Sequence, residues 1–214
     1  MRPIVVSVGP VGTVSATNIA TSQTPGAAGN LTLNGSLVTA GVAVLPTPQR
    51  VLITTTDTTT KFTIYGATPT GSLLTETLTN AGTSVYSTLD YATVTRIAVN
   101  QGTTAAVTVG TNGIAATPWV RLDSWSDADC SVQCNVTGTV NYTIQVSNDD
   151  PNSPTDAVLP SAMVWINTND TNAVNATASL QSNFLFSPTF ARVLLNSGSG
   201  SVRATFIQYN VSNL

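Results

Sequence analysis

The residues in this 214-residue chain that could do chemistry are few enough to take one at a time. Carboxylates gather most densely in RLDSWSDADC, which carries Asp123, Asp127 and Asp129, and Asp149 and Asp150 follow in SNDDPNSP. A calcium ion takes about six to eight oxygens, and three such carboxylates with loop carbonyls would supply part of that shell. The glycine and terminal glutamate of an EF-hand loop are missing, and aspartates also collect in loops because their side chains cap turns. Cys130 and Cys134 stand four residues apart in DADCSVQCNVTG. In an extended strand that spacing spans roughly 13 Å, beyond the ~7 Å Cα limit of a disulfide. Zinc would need two more Cys or His ligands, and the chain has no His and no third Cys. Both thiols therefore read as reduced, core-facing small hydrophobes.

Catalytic constellations are no better supplied. No imidazole is present to act as a general base near neutral pH. The single lysine, Lys61, has no S-x-x-K motif around it, and there is no G-x-S-x-G elbow. Asp149 and Asp150 are adjacent, whereas a glycosidase holds two carboxylates a set distance apart across the bond it cleaves. The chain is expected to be no enzyme and to carry no cofactor. Trp119, Trp125 and Trp165 offer flat rings that could cover a sugar face, or they fill a core or a joint, where tryptophan buries most area. Trp125, in the acidic loop, is the candidate ligand or interface residue of the three.

The elements that would position these residues follow from composition. Charged residues make up 8% of the chain against roughly 25% in ordinary soluble domains, while 42% is hydrophobic, enough to build a core. Polarity comes from Thr, Ser and Asn, and there is one Lys and one Glu. Threonine is β-branched and fits a pleated surface while its hydroxyl stays wet, so an all-β chain is expected. Net charge is −3 and the cations are scattered, which argues against nucleic-acid binding, since that needs grouped cations. No apolar run approaches the ~20 residues of a membrane span. MRPIVVSVGP lacks the sustained apolar stretch of a secretion signal.

Period-2 runs recur at roughly 8–12-residue spacing, separated by Gly, Pro, Asn and Asp, as in a sandwich or barrel. RVLITT and KFTIYG flank Asp57, which is expected to turn the chain through its side chain. SLVTAGVAVLP is set apart from RVLITT by Pro46-Thr47-Pro48, and NAVNATASLQS reads as a strand. The expected fold is all-β, with two β-sandwich (jelly-roll-like) domains and an extended N-terminal arm. Residues 1–29 form the arm and first strand, 30–116 the first β domain, and 117–214 the second β-sandwich domain, the boundary lying at IAATPW.

The segment NLTLNGSLVTAGVAVLPTPQRVLITTTDTTTKFTIYGATPTGSLLTETLTN, followed by YATVTRIAVN and TVGTNGIAATPWV, resembles virion structural proteins of tailed bacteriophages. NYTIQVSNDDPNSP, AMVWIN, FSPTFARVLLN and GSVRATFIQ are similar to the β-sandwich module that accompanies it. The resemblance runs from about residue 28 to near the end and is carried by strand and turn patterns. It implies a capsid decoration (cement) protein on the virion exterior, made in the bacterial cytoplasm. The implied partner is the major capsid protein, with assembly as a homo-oligomer, dimer or trimer. The alternatives are a head-fibre, tail-fibre or spike component that binds host-surface glycan, and a neck or tail adaptor.

Overall fold

The computed structural model describes residues 3–79, 82–122, 130–184, 186 and 188–208. In chain order the strands are β1 (Ile4–Val8), β2 (Ser15–Gln23), β3 (Gly29–Asn30), β4 (Val38–Thr39), β5 (Val42–Thr54) and β6 (Lys61–Ala67). Then come β7 (Leu73–Thr79), β8 (Ser84–Tyr86), β9 (Tyr91–Val99), β10 (Val107–Ala116), β11 (Val120–Arg121) and β12 (Cys130–Thr137). The last are β13 (Val140–Ser147), β14 (Ile166–Asn167), β15 (Leu180–Phe184), β16 (Phe190–Gly198) and β17 (Ser201–Gln208). The chain is all-β: among the described residues the only helical turns are two short 3-10 segments, Pro160–Ala162 and Thr171–Ala173. No helix of the described residues is long and apolar enough to cross a membrane.

The chain divides into two compact units, Gly12–Ile114 and Met1–Val11 with Ala115–Leu214. In the first unit the strands lie in the order β10-β5-β9-β6-β7, with β2 on β10, β3 on β9, and β4 and β8 on β5. Alternation sets the faces. In β7, Leu74, Glu76 and Leu78 point inward while Leu73, Thr75, Thr77 and Thr79 point out. Phe62, Ile64, Val94, Ile97, Val51 and Ile53 meet in one core. Each fully buried side chain of this kind contributes roughly 1.5–3 kcal/mol. The outward threonines carry the polar side of the ladder, as where Thr63 and Thr77 hydroxyls pair at 3.0 Å across β6 and β7.

The second unit has two sheets. One runs β1-β17-β12-β15; the other runs β14-β13-β16, with β11 and the last two residues of β10 on β16. Val132, Cys134, Ala204 and Phe206 from the first sheet share a core with Tyr142, Ile144, Val193 and Leu195 from the second, a sandwich-like arrangement. Cys130 and Cys134 are free thiols buried in that core, on the inward face of β12. Burial pushes both thiols up to about 11.

Three local expectations differ from what is observed. Residues 4–8 and 15–23 do not extend as an arm: β1 pairs with β17 along its whole length, and β2 pairs with β10. Polarity hid the second of these, because Asn18 is buried and spends its amide hydrogen on the Thr111 hydroxyl at 2.8 Å. Pro46 and Pro48 do not end a strand. β5 runs through both, and its register with β9 shifts between Val44 and Gln49, so the prolines sit where ladder N–H donors are not needed. In 172–182, a 3-10 turn and a single bridge from Ala176 to Tyr142 precede β15, which begins at Leu180.

Candidate functional site

Asp57 is where the sequence placed a turn-forming carboxylate, and its side chain is 2% exposed. Oδ1 accepts from the backbone N–H of Thr59 (2.8 Å) and Thr60 (3.0 Å) and from the Thr59 hydroxyl (2.9 Å). Oδ2 accepts from the Thr60 hydroxyl at 3.1 Å and from the N–H and hydroxyl of Thr104, at 2.8 and 3.2 Å. The Thr104 contact joins the β5–β6 turn to the loop before β10, a link that no local pattern announces. The N–H of Thr104, then that of Thr59, hold this carboxyl far below the usual carboxylate range. Glu76 works similarly: its carboxylate accepts from Thr88 N–H and hydroxyl, each at 2.8 Å, and from Leu89 N–H at 3.1 Å. Both carboxylates are fully engaged as loop anchors, which is architecture and not acid–base chemistry.

Asp123, Asp127, Asp129 and Trp125, the candidate metal and ligand residues, lie outside the described residues. Among the described residues no three Asp, Glu or Cys side chains are grouped as a metal would require. Asp149 and Asp150 each have a partner. Asp150 receives Arg121 in a two-pronged contact, Nη1 to Oδ1 at 3.2 Å and Nη2 to Oδ2 at 2.7 Å. Those hydrogen bonds, with one from Asn152 N–H, hold the Asp150 carboxyl below its ordinary value. Asp149 Oδ2 accepts from Val164 N–H at 2.6 Å and so ties the far end of the proline-bearing loop back to its start.

That loop organises the aromatic side chains. Trp119, just before β11, and Trp165, just before β14, have ring centroids 5.6 Å apart, and Trp119 meets Phe190 edge-on at 6.1 Å. Beneath Trp165, at 4.2 Å from its ring, lies the guanidinium of Arg192, whose Nε donates to Gln145 Oε1 at 3.0 Å. Gln145 Nε2 in turn donates to Asn167 Oδ1 at 3.0 Å, so a polar ladder crosses β16, β13 and β14. On β16, Ala191, Val193 and Leu195 enter the core, which puts Phe190 and Arg192 on the opposite face. That face is buried as well, because the tryptophans and the loop cover it. The half-buried Trp119 and Trp165 are packing elements on the back of a sheet, with partly exposed rims.

Around them the loop displays apolar side chains. Leu159, Val164 and Ile166 are 71%, 62% and 63% exposed. The run AMVWIN reads as a strand, yet only Ile166–Asn167 pairs, against β13. The signal available in the sequence was Pro160 interrupting an apolar run in a chain that otherwise keeps its loops polar. Arg121, Arg192 and Phe190 gave no sequence signal, because their roles depend on which strands are neighbours. Compared with known protein families, curated proteins and solved structures, the chain matches none.

Proposed function

We propose that this chain is a non-enzymatic virion structural protein that binds the outer surface of a tailed-phage capsid and stabilises it, as a decoration or cement protein. The observation that carries the reading is the apolar rim of Leu159, Val164 and Ile166, held in a fixed loop by Arg121–Asp150 and by Val164 N–H to Asp149. Exposed apolar side chains grouped on an ordered loop mark a protein-binding surface more often than a reaction site. A preorganised loop loses little entropy on binding. The engaged carboxylates of Asp57 and Glu76 agree, because they spend charge on rigidity. The partner is the major capsid protein, on the strength of the sequence resemblance. Each unit acts as a β-sandwich module, in a dimer or trimer on the capsid exterior.

Purified particles of the phage that encodes the chain test this by quantitative gel densitometry and by rebinding to stripped capsids. Hundreds of copies per particle, and rebinding abolished by Val164→Asp with Ile166→Asp in a folded protein, are expected. Absence from the particle refutes the reading. Six or twelve copies mean a neck or tail adaptor instead. The rims of Trp119 and Trp165 favour one further reading, a glycan-binding fibre or spike. It requires cell or glycan binding that Trp165→Ala removes.

A further inference from the structure

Strand β7 of the first unit leaves half of its backbone hydrogen-bonding groups unused. Thr68 N–H donates to Ser72 O at 2.9 Å, and the β6–β7 register keeps that alignment out to Lys61 opposite Thr79. Hydrogen-bonded pairs alternate along an antiparallel ladder, so Leu74, Glu76 and Leu78 spend their N–H and C=O groups on β6. Those of Leu73, Thr75, Thr77 and Thr79 point away from it, and β7 is the last strand in the order of its sheet. Among the described residues nothing bonds to these outward backbone groups, and all of these residues are exposed. Native sheets blunt such edges with lysine, proline, a bulge, a short strand or an inward charge. β14 has two residues, β15 has five, and β2 shifts register twice against β10. β1 also has five and lies between Pro3 and Pro10. β7 has seven residues, an unbroken register, and no Lys, Arg or Pro. Its one charge, Glu76, points inward but is no barrier: it is already only 8% exposed and held by Thr88 and Leu89.

Donors and acceptors that repeat at every second residue, about 6.8 Å apart, are matched by another extended backbone. The outward run Thr75, Thr77, Thr79 reads the same in both directions, so a second copy of the strand fits it antiparallel. With Thr77 opposite its own counterpart, Thr75 faces Thr79 and each of these outward pairs is threonine on threonine. Thr63 and Thr77 already make that pairing within the sheet. Glu76 then faces Leu78, whereas centring the pair on Glu76 would oppose two carboxylates. We propose that β7 is a homodimer interface, joined edge to edge with a second copy of this chain across a two-fold axis at Thr77. The contact closes at two chains and carries the sheet of the first unit from one molecule into the next. It uses neither the apolar rim nor the capsid, so it stands or falls independently of the reading above.

Sedimentation velocity of the full chain over a concentration series tests this. A reversible dimer is expected at micromolar concentration. Thr77→Lys, which sets two ammonium groups face to face at the axis, should weaken it at least about tenfold. Val164→Asp with Ile166→Asp, on the other unit, should leave it intact. Thr77→Cys gives a second readout should the lysine variant fold poorly. Opposite residues of a hydrogen-bonded pair have Cα atoms about 5.5 Å apart, within disulfide reach. Mild oxidation should therefore link Thr77→Cys chains into covalent dimers, read by intact mass. Thr75→Cys, whose counterpart lies about 13 Å out of register, should stay unlinked. The native thiols of Cys130 and Cys134 are buried and do not compete. The inference is overturned by a monomer throughout the series, by a trimer, by a dimer that Thr77→Lys leaves unchanged, or by linking of Thr75→Cys in place of Thr77→Cys.

Discussion

Replacing Glu76 with Gln isolates what a buried carboxylate contributes to this fold. Glu76 points inward from β7, and its two oxygens hold the segment between β8 and β9. The same segment is fixed from the other side by Ser87, whose hydroxyl accepts from Val51 N–H at 2.9 Å and donates to Leu89 O at 2.8 Å. In Glu76→Gln one oxygen becomes an NH₂ group. Turned one way, that NH₂ faces Leu89 N–H; turned the other way, it faces Thr88 N–H. Either orientation sets donor against donor, breaking one N–H bond, and the bonds that remain lose the carboxylate charge, at about 2 kcal/mol or more in all. For a cooperative unit of about 100 residues this lowers the melting temperature by roughly 8–16 °C. Calorimetry at pH 7 reads that directly. Thr88→Val removes only the hydroxyl bond and should cost about half as much, and the double variant should cost less than the sum. A fall of less than about 3 °C in Glu76→Gln would show that water replaces the carboxylate without loss, and the anchoring argument would fail.

Acid should destabilise the protein in a defined window. The Asp57, Asp150 and Asp170 carboxyls are held below their ordinary values in the fold, so the unfolded chain takes up protons first. Their stabilisation is complete above the unfolded carboxyl range, about pH 4, and is lost as pH falls further. Urea midpoints should be level between about pH 5 and 8 and drop below 4, with a shallower drop in Asp57→Asn. Cys130 and Cys134, with thiols pushed up to about 11, should resist iodoacetamide at pH 8 and react only after unfolding, by intact mass. Gly110→Ala would drive a methyl group into the Ser15 carbonyl and separate β2 from β10, whereas Gly29 has open space around it. Thermal melts should show Gly110→Ala well below the parent and Gly29→Ala within about 0.5 kcal/mol of it.

The apolar rim and the buried aromatic face lie on the same unit and answer different needs. Phe190 and Arg192 needed cover because β16 is central in its sheet, and Trp119 and Trp165 provide it. Leu159, Val164 and Ile166 take no part in that cover and remain exposed. Substitutions at Trp165 should therefore cost stability, and substitutions at Val164 or Ile166 should cost binding alone.

The sequence by itself determined the all-β class and the faces of the most regular strands. In Lys61–Ala67 and Leu73–Thr79 the inward residues can be read directly from alternation, because successive side chains on an extended backbone point to opposite sides. It also determined that Asp57 turns the chain, since that bond joins residues two and three apart. Pairing belonged to the tertiary structure. Backbone ladder groups are chemically alike in every strand, so nothing in IVVSV names GSVRATFIQ as its partner, yet β1 pairs with β17, about 200 residues further along the chain. Nor could local pattern show that Asn18 is core. A polar residue becomes buried only when a distant donor or acceptor, here Thr111, compensates for lost water. The stacking of Trp119 with Trp165 and the unpaired oxygens of Asn18 and Gln49 arise in the same way: each depends on which strands lie side by side, a choice made by the packing of the whole unit.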